Sequence, residues 1–128
     1  MYSKKVIEYF KHPKFVGEIK NADGIGRNTN PLCGDVLEIY LKIDKNKKNQ
    51  KFIKDIKFKT YGCIVAIAST EALCRIVKGK TLKEINKINN KDILRMLGQK
   101  KIPPIKIHCS FLAIEALQNA IKDYEKRR

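Results

Sequence analysis

The alternation of apolar and polar residues predicts two strands in the middle of the chain. It extends from Leu37 to Ile43 and again over Phe52–Thr60, which is typical of half-buried strands. The charged segment Asp44–Lys51 between them is interpreted as a hairpin connection. The preceding segment, Lys14–Thr29, contains three glycines among polar residues. It therefore predicts irregular structure or a weak edge strand.

Apolar residues recur at helical spacing in the other segments. The predicted helices are Tyr2–Lys11, Ile64–Lys78, a short helix opened by the capping-box pattern at Thr81, another around Lys91–Leu97, and a long amphipathic helix after Cys109. Several helices around one small antiparallel sheet of two to three strands predict an α+β fold. The length of 128 residues predicts a single domain spanning residues 1–128.

The charge and the hydropathy pattern restrict the location and the partners. The chain has no apolar run near the roughly 20 residues that a transmembrane helix needs. Its N-terminus does not resemble a signal peptide, so we expect a cytoplasmic protein without membrane association.

The net charge of +15 raises nucleic acid as a partner. Of the 28 basic residues, however, only five are arginines, and no arginine cluster or aromatic-basic interleaving occurs. A basic nucleic-acid-binding domain is therefore kept as a distant alternative.

Four cysteines provide the candidate chemistry. They are Cys33, Cys63, Cys74 and Cys109, and no two of them form a Cys-x-x-Cys motif. Thiols in a reducing cytosol are metal-binding, catalytic or simply buried more often than disulfide-bonded. Cys74 lies inside a predicted apolar helix and is interpreted as a small core residue. The other three lie at the ends of predicted elements beside glycine or close to proline, where functional residues concentrate.

Two further polar side chains accompany these thiols. Asp35 follows Cys33 by two positions, and His108 directly precedes Cys109. Cys63 and Cys109 each adjoin the start of a predicted helix, where the helix dipole favours a thiolate. Thiolate and imidazole ligands suit an iron–sulfur cluster, zinc or copper(I), whereas three unrelated structural thiols remain the alternative. A site with three thiolates and an oxygen or nitrogen ligand should hold a cluster less permanently than four thiolates, which indicates a carrier.

A rigid segment precedes the last cysteine. Pro103 and Pro104 favour an extended, polyproline-like backbone, so the segment Ile102, Pro103, Pro104, Ile105, Lys106 is expected to be an exposed rod.

Five motifs occur in the order found in IscU/NifU-type iron–sulfur cluster assembly scaffolds, which the chain resembles over nearly its whole length. They are Tyr2-Ser3-x-Lys5-Val6, Cys33-Gly34-Asp35, Phe58-Lys59-Thr60-Tyr61-Gly62-Cys63, Lys78-Gly79-Lys80 and Pro103-Pro104-Ile105-Lys106-Ile107-His108-Cys109-Ser110. The resemblance implies a compact α+β scaffold without turnover of its own. Such a scaffold receives sulfur from a cysteine desulfurase, builds a [2Fe–2S] cluster from iron, and passes the cluster to ferredoxin and other apo-proteins.

The resemblance also implies roles for particular residues. The cluster or metal ligands would be Cys33, Asp35, Cys63, His108 and Cys109, with zinc as an alternative metal in the resting or purified state. Asp35 would make the cluster labile, and Cys109 would accept persulfide sulfur. The segment Ile102–Lys106 would bind an Hsp70-type chaperone, which acts with a co-chaperone to promote cluster release.

The nearest alternative is a zinc-bound SufU-like sulfurtransfer partner of a cysteine desulfurase. SufU-type proteins resemble the family around the first two cysteines, but they carry an insertion before the third and lack the His-Cys pair. Here Cys63 and Cys109 are 46 positions apart and His108 is present, which favours the IscU type. One departure from the family is that Ile64 and Val65 follow Cys63, where glycine and small residues are usual. Bulkier side chains there could narrow access to a cluster.

Overall fold

The computed structural model describes residues 3–30, 34–98 and 108–127, with the side chains of Asn30 and residues 108–110 outside the description. The described elements in chain order are α1 (Lys4–Lys11), β1 (Gly24–Asn30), β2 (Asp35–Lys45), β3 (Lys51–Tyr61), α2 (Ile64–Val77), α3 (Leu82–Ile85), α4 (Asn90–Met96) and α5 (His108–Lys126). This arrangement confirms the predicted α+β fold with a long C-terminal helix. No helix in these described ranges is both long and apolar enough to cross a membrane.

The sheet has three antiparallel strands in the order β1-β2-β3, so β2 is central. Ile39 pairs with Gly26 on one side and with Phe58 on the other. The alternation seen in the sequence gives each strand one buried face, where Ile39, Leu41 and Phe58 are fully buried. Helices α2 and α5 pack on the sheet and complete the core. The two strands predicted from alternation are therefore confirmed.

The segment predicted to be irregular or a weak edge strand contains a seven-residue edge strand, β1. Its alternation is hidden because Gly24 and Gly26 lie where apolar side chains would be expected, and helix α5 packs directly on their backbone. A Cβ on Gly26 would overlap Ala116 O and Ala120 N, and one on Gly24 would overlap Ala120 O. The missing side chains allow this close approach of helix to strand.

Helix α2 is buried along most of its length, as its apolar sequence predicts. Cys74 is fully buried in it, and burial raises the pKa of its thiol well above the ordinary value. Cys74 is therefore a core residue, as predicted.

The same helix contains a fully buried carboxylate, Glu71. Glu71 Oε1 accepts hydrogen bonds from the backbone N–H groups of Lys14 (3.0 Å) and Phe15 (3.1 Å), and its Oε2 accepts one from Arg75 Nε at 2.8 Å. Phe15 in turn joins the outer edge of β3, because Phe58 N–H donates to Phe15 O at 2.9 Å. Glu71 therefore attaches the connection after α1 both to α2 and to the sheet.

Candidate metal centre

Asp35 and Cys63 lie at the same end of the sheet because of the register between β2 and β3. Asp35 is the first residue of β2, and Val36 pairs with Tyr61, the last residue of β3. Thr60 Oγ1 donates a hydrogen bond to Val36 O at 2.8 Å, which ties the two strands together at this end. Two residues after Tyr61 the chain reaches Cys63. Residues that are 28 positions apart in sequence are thus brought together by strand pairing.

The Asp35 side chain approaches the start of α2 closely, with only Gly62 between them. A Cβ on Gly62 would lie 3.1 Å from Asp35 Cγ, 3.2 Å from Asp35 Oδ1 and 3.0 Å from Ala66 Cβ. The Asp35 carboxylate therefore packs against the backbone of the residue that directly precedes Cys63, and Asp35 is only 6% exposed. From the sequence, Gly62 was identified only as part of the motif that ends in Cys63. A glycine between a strand and a cysteine was the signal of this close approach.

Cys63 is the N-cap residue of α2. Its backbone is extended (φ −80°, ψ 176°), and its carbonyl accepts the first helical hydrogen bond, from Ile67 N–H at 3.1 Å. The first turn of this 14-residue helix contains no acidic side chain. Negative charge is favoured at a helix N-terminus, so the backbone at Cys63 provides a setting that stabilises a thiolate.

The side chains around Cys63 are apolar. Val65 and Ala66 are buried and form a small cluster with Ile64, Leu94 and the half-buried Cys63. Val65 is therefore buried inside the protein. Ile64, the other residue that departs from the family pattern, is partly exposed and directly follows Cys63. Leu94, from α4, was not identified from the sequence. It covers the start of α2 from a segment 31 positions later in the chain.

Helix α5 runs along β1 toward this same end of the sheet. Asn28 Nδ2 donates to Leu112 O at 3.4 Å and to Glu115 Oε2 at 3.1 Å, whereas Gly26 lies against Ala116 and Ala120. The rise over four helical residues is about 6 Å and the rise over two strand residues is about 6.6 Å. Contacts between α5 and β1 therefore repeat every four helical and every two strand residues. One turn before Leu112, the backbone of His108 is therefore level with Asn30, the register partner of Asp35.

The predicted ligands divide into two groups by what the structure describes. Asp35 and Cys63 are brought to the same end of the sheet, and the backbone of α5 begins at His108, so the helix starts slightly earlier than the predicted start after Cys109. Cys33, the side chains of His108 and Cys109, and the segment Ile102–Lys106 lie outside the description. Among the side chains that are described, no group of three or more His, Cys, Asp or Glu residues could hold a metal ion. The five-residue ligand set stays a prediction.

The family follows from comparison with known proteins. The model of the NifU-like N-terminal domain family matches residues 1–128. The chain belongs to this family. The iron–sulfur cluster assembly scaffold protein IscU 1 of Archaeoglobus fulgidus is 44% identical over 127 residues, covering 99% of this chain and 78% of the relative. The scaffold protein IscU of Escherichia coli (strain K12) is 43% identical over 130 residues, covering 99% of this chain and 96% of the relative.

A similar solved structure agrees with this family membership. The structure described as a putative iron-sulfur cluster assembly scaffold protein for the SUF system (FiSufU), from Fervidobacterium islandicum AW-1, superimposes with a TM-score of 0.74 at 26% identity, covering 94% of this chain and 96% of that one. The resemblance to IscU/NifU-type scaffolds found in the sequence is thus confirmed. In this NifU-like domain, Asp35 of the Cys-Gly-Asp motif begins β2 and Tyr61 of the Tyr-Gly-Cys motif ends β3, and these two strand ends are paired.

Proposed function

We propose that this protein is a scaffold on which iron–sulfur clusters are assembled and from which they are passed to apo-proteins. The observation that carries the proposal is the packing of the Asp35 carboxylate against Gly62, beside Cys63, in a member of the NifU-like family. The protein acts as a carrier, and the cluster is its cargo. The proposed place of action is the cytoplasm.

The cargo is a [2Fe–2S] cluster held by the thiolates of Cys33, Cys63 and Cys109, with Asp35 and His108 completing the site. Thiolates are the soft ligands that such clusters need, whereas the carboxylate of Asp35 is a harder and more exchangeable ligand. The position of Asp35 supports this role, because its carboxylate packs against the backbone of Gly62, the residue before Cys63. The apolar cluster around Cys63 limits the access of water to bound iron.

Sulfur arrives from a cysteine desulfurase as a persulfide. The Cys109 thiolate attacks the outer sulfur of the desulfurase persulfide, a sulfur–sulfur bond forms on Cys109, and the desulfurase cysteine leaves as a thiolate. The start of α5 is level with Asp35 and its helix dipole favours thiolate chemistry, which supports Cys109 as the acceptor. The same thiolates are also suited to zinc, which would be exchanged for iron when a cluster is built.

Release requires partners that disturb this site. An Hsp70-type chaperone with its co-chaperone binds the segment Ile102–Lys106, and apo-ferredoxin and other apo-proteins receive the cluster. The segment ends two positions before His108, so force on it acts on the beginning of α5.

Anaerobic reconstitution tests the proposal. The purified protein is mixed with iron(II), cysteine, a cysteine desulfurase and a thiol reductant, and a visible-absorbing [2Fe–2S] species is expected. Asp35→Ala should slow the transfer of the cluster to apo-ferredoxin. Asp44→Ala, at an exposed aspartate at the far end of β2, should not. If Asp35→Ala folds normally by circular dichroism and transfers at the original rate, the role of Asp35 is wrong.

A zinc-bound SufU-like sulfurtransfer partner is the second candidate, because the similar structure from Fervidobacterium islandicum AW-1 carries the name FiSufU. It predicts tightly held zinc, stimulation of a desulfurase and no competent cluster transfer. Iron, zinc and acid-labile sulfide analysis of anaerobically purified protein separates the two candidates. Stoichiometric sulfide with iron supports the scaffold, whereas one zinc without sulfide before and after reconstitution supports the sulfurtransfer partner.

A further inference from the structure

A continuous groove lies at the end of the sheet opposite Asp35. Three adjoining concavities of about 290, 550 and 740 Å³ share lining residues, so they form one surface from the β2–β3 turn across α3 to α4. The first two share Gln50, Thr81 and Lys83, and the second and third share Glu84 and Lys87. We refer to this surface as the lysine groove.

The lining of the groove is predominantly cationic. Lys51, Lys80, Lys83, Lys87 and Arg95 contribute positive charge, against only the carboxylates of Glu84 and Asp92. Both carboxylates are engaged in capping boxes: Glu84 accepts from Thr81 N–H at 3.0 Å, and Asp92 accepts from Asn89 N–H at 2.9 Å. Within the described part of the chain, Lys80, Lys83 and Lys87 form no ion pair within 4.0 Å.

The backbone that presents these cations is held in place by hydrogen bonds. In the β2–β3 turn, Asn46 Oδ1 accepts from the N–H groups of Lys48 and Gln50, both at 2.9 Å. On the other side of the groove, Ile53 N–H donates to Lys80 O at 3.0 Å, and Gly79 N–H donates to Ile53 O at 2.8 Å. The segment before α3 is thus docked on the outer edge of β3. A groove with a fixed backbone costs less conformational entropy when it binds a partner.

The floor of the groove is apolar, which restricts its partner further. Ile76, Ile88 and Met96 line it and are only partly buried. None of the lining residues is aromatic, so the groove offers no platform for base stacking, and it contains a single arginine. Lysines around an apolar floor complement a peptide with carboxylates on one side and aliphatic side chains on the other.

The groove is well separated from the candidate metal centre. Strand β2 has 11 residues and begins with Asp35, whereas the turn that opens the groove follows its last residue, Lys45. An extended strand of this length spans about 33 Å. The other end of the groove is on α4, where Asp92 and Met96 lie on the helix face opposite Leu94, the residue that packs at the start of α2. A partner over the β2–β3 turn and this face of α4 therefore leaves the start of α2 uncovered.

We propose that the lysine groove binds an acidic amphipathic segment of a partner protein. Carboxylates of the segment pair with Lys83 and Lys87, and its aliphatic side chains pack on Ile88 and Met96. The groove gives the scaffold a second docking surface that is used at the same time as the site at Asp35 and Cys63. It also gives a role to part of the net charge of +15, because its lining has five basic side chains against two carboxylates.

The experiment uses the full chain without bound cluster, so its result does not depend on the proposed scaffold function. The probe is a fluorescent synthetic helical peptide with glutamates on one face and leucines on the other. Polyglutamate of equal charge and single-stranded oligothymidylate serve as comparison ligands. Binding is measured by fluorescence anisotropy at about 50 mM and about 300 mM salt, which vary the screening of exposed charges.

The variants separate the groove from the overall charge. Lys83→Glu with Lys87→Glu should weaken peptide binding about tenfold or more, which corresponds to roughly 1.4 kcal/mol. Lys4→Glu with Lys122→Glu makes the same change in net charge at exposed positions on α1 and α5, and should weaken binding less than about twofold. Ile88→Gln should weaken binding of the amphipathic peptide and leave polyglutamate binding unchanged. Circular dichroism establishes that each variant is folded.

Three results would overturn the proposal. One is equal loss of binding in both double charge variants, which would show attraction to the net charge only. Another is tighter binding of oligothymidylate than of the peptide, with loss in the Lys83/Lys87 variant, which would show a nucleic-acid groove. The third is peptide-induced amide shifts in NMR spectra around Gly62 and Cys63 rather than at residues 46–51 and 80–96.

Discussion

The buried carboxylate of Glu71 makes a sharp prediction about stability. Replacing it with alanine leaves three donors without their acceptor: the N–H groups of Lys14 and Phe15, and the guanidinium of Arg75. Hydrogen bonds to a charged group contribute about 1.5–3 kcal/mol each, and removing one partner of a buried ion pair costs about 3–5 kcal/mol. The Arg75 side chain is 23% exposed and can be rehydrated, so its share is the smallest.

We therefore expect Glu71→Ala to lower the free energy of unfolding by about 3–5 kcal/mol. A domain of this size has about 5–15 kcal/mol in total, and the corresponding fall in the melting temperature is roughly 10–20 °C. Glu71→Gln keeps an oxygen that can accept from both backbone N–H groups, so it should cost about half as much. Urea unfolding followed by circular dichroism measures both values. Glu8→Gln, at an exposed glutamate of α1, is the control and should change stability by less than about 0.5 kcal/mol.

The effect should also be local, because Glu71 holds the segment that pairs with the outer edge of β3. Phe58 N–H donates to Phe15 O at 2.9 Å, and Ile53 N–H donates to Lys80 O at 3.0 Å on the same edge. In Glu71→Gln, hydrogen exchange should become faster at Phe58 and stay unchanged at Ile53. A loss of stability below about 1 kcal/mol in Glu71→Ala, or equal acceleration at both amides, would refute this account of Glu71.

Further predictions follow from three other features. Gly26→Ala should cost about 3 kcal/mol or more, because its Cβ overlaps the backbone of α5, whereas Gly62→Ala should cost about 1 kcal/mol. Thermal unfolding of both variants compares these values, and equal losses would contradict the packing described. Cys74 should resist alkylation in the native protein and react in denaturant, because it is fully buried with a raised pKa. Mass spectrometry of the peptide that contains it measures this, and rapid native labelling would contradict it. Hydrogen bonds from Thr81 lower the pKa of Glu84, so its contribution to stability is complete above the ordinary glutamate pKa and is lost as pH falls through the lower folded value. The difference in melting temperature between the native chain and Glu84→Gln should therefore shrink from about pH 5 to about pH 3, and a constant difference would count against the capping box.

The parts of the fold that the sequence predicted correctly are those in which side chains face a core. Alternation identified β2 and β3 because their inward residues, such as Ile39 and Phe58, fill the space beneath the sheet. Strand β1 escaped the same analysis because glycines occupy its inward positions. There the backbone of α5 fills the space that side chains would occupy. A contact between two backbones produces no periodic pattern of apolar residues in the sequence.

The candidate site was predictable in its residue types but not in its geometry. Cysteines at element ends with a nearby aspartate indicated metal or sulfur chemistry. The closeness of Asp35 to Cys63 depends on the register of β2 with β3, and the apolar cover of Leu94 depends on how α4 packs. Both are long-range contacts that local patterns do not contain. Glu71 left a clearer trace, since a single carboxylate in an apolar helix must find donors within the fold.

Gly24 and Gly26, which obscured β1 in the sequence, also determine where α5 begins along the sheet. This helix carries the last two predicted ligands, His108 and Cys109. The contacts of Gly24 and Gly26 with Ala116 and Ala120 fix the position of α5 along β1. In this position the backbone of His108 is at the same level along the strand as Asn30. Because a turn of helix and a pair of strand residues advance by nearly the same length, every turn of α5 is in register with β1. A side chain added at Gly26 would lift the helix and displace its first turn relative to Asp35. The two ends of the proposed site come from distant segments, and they are aligned by a contact that contains no predicted ligand.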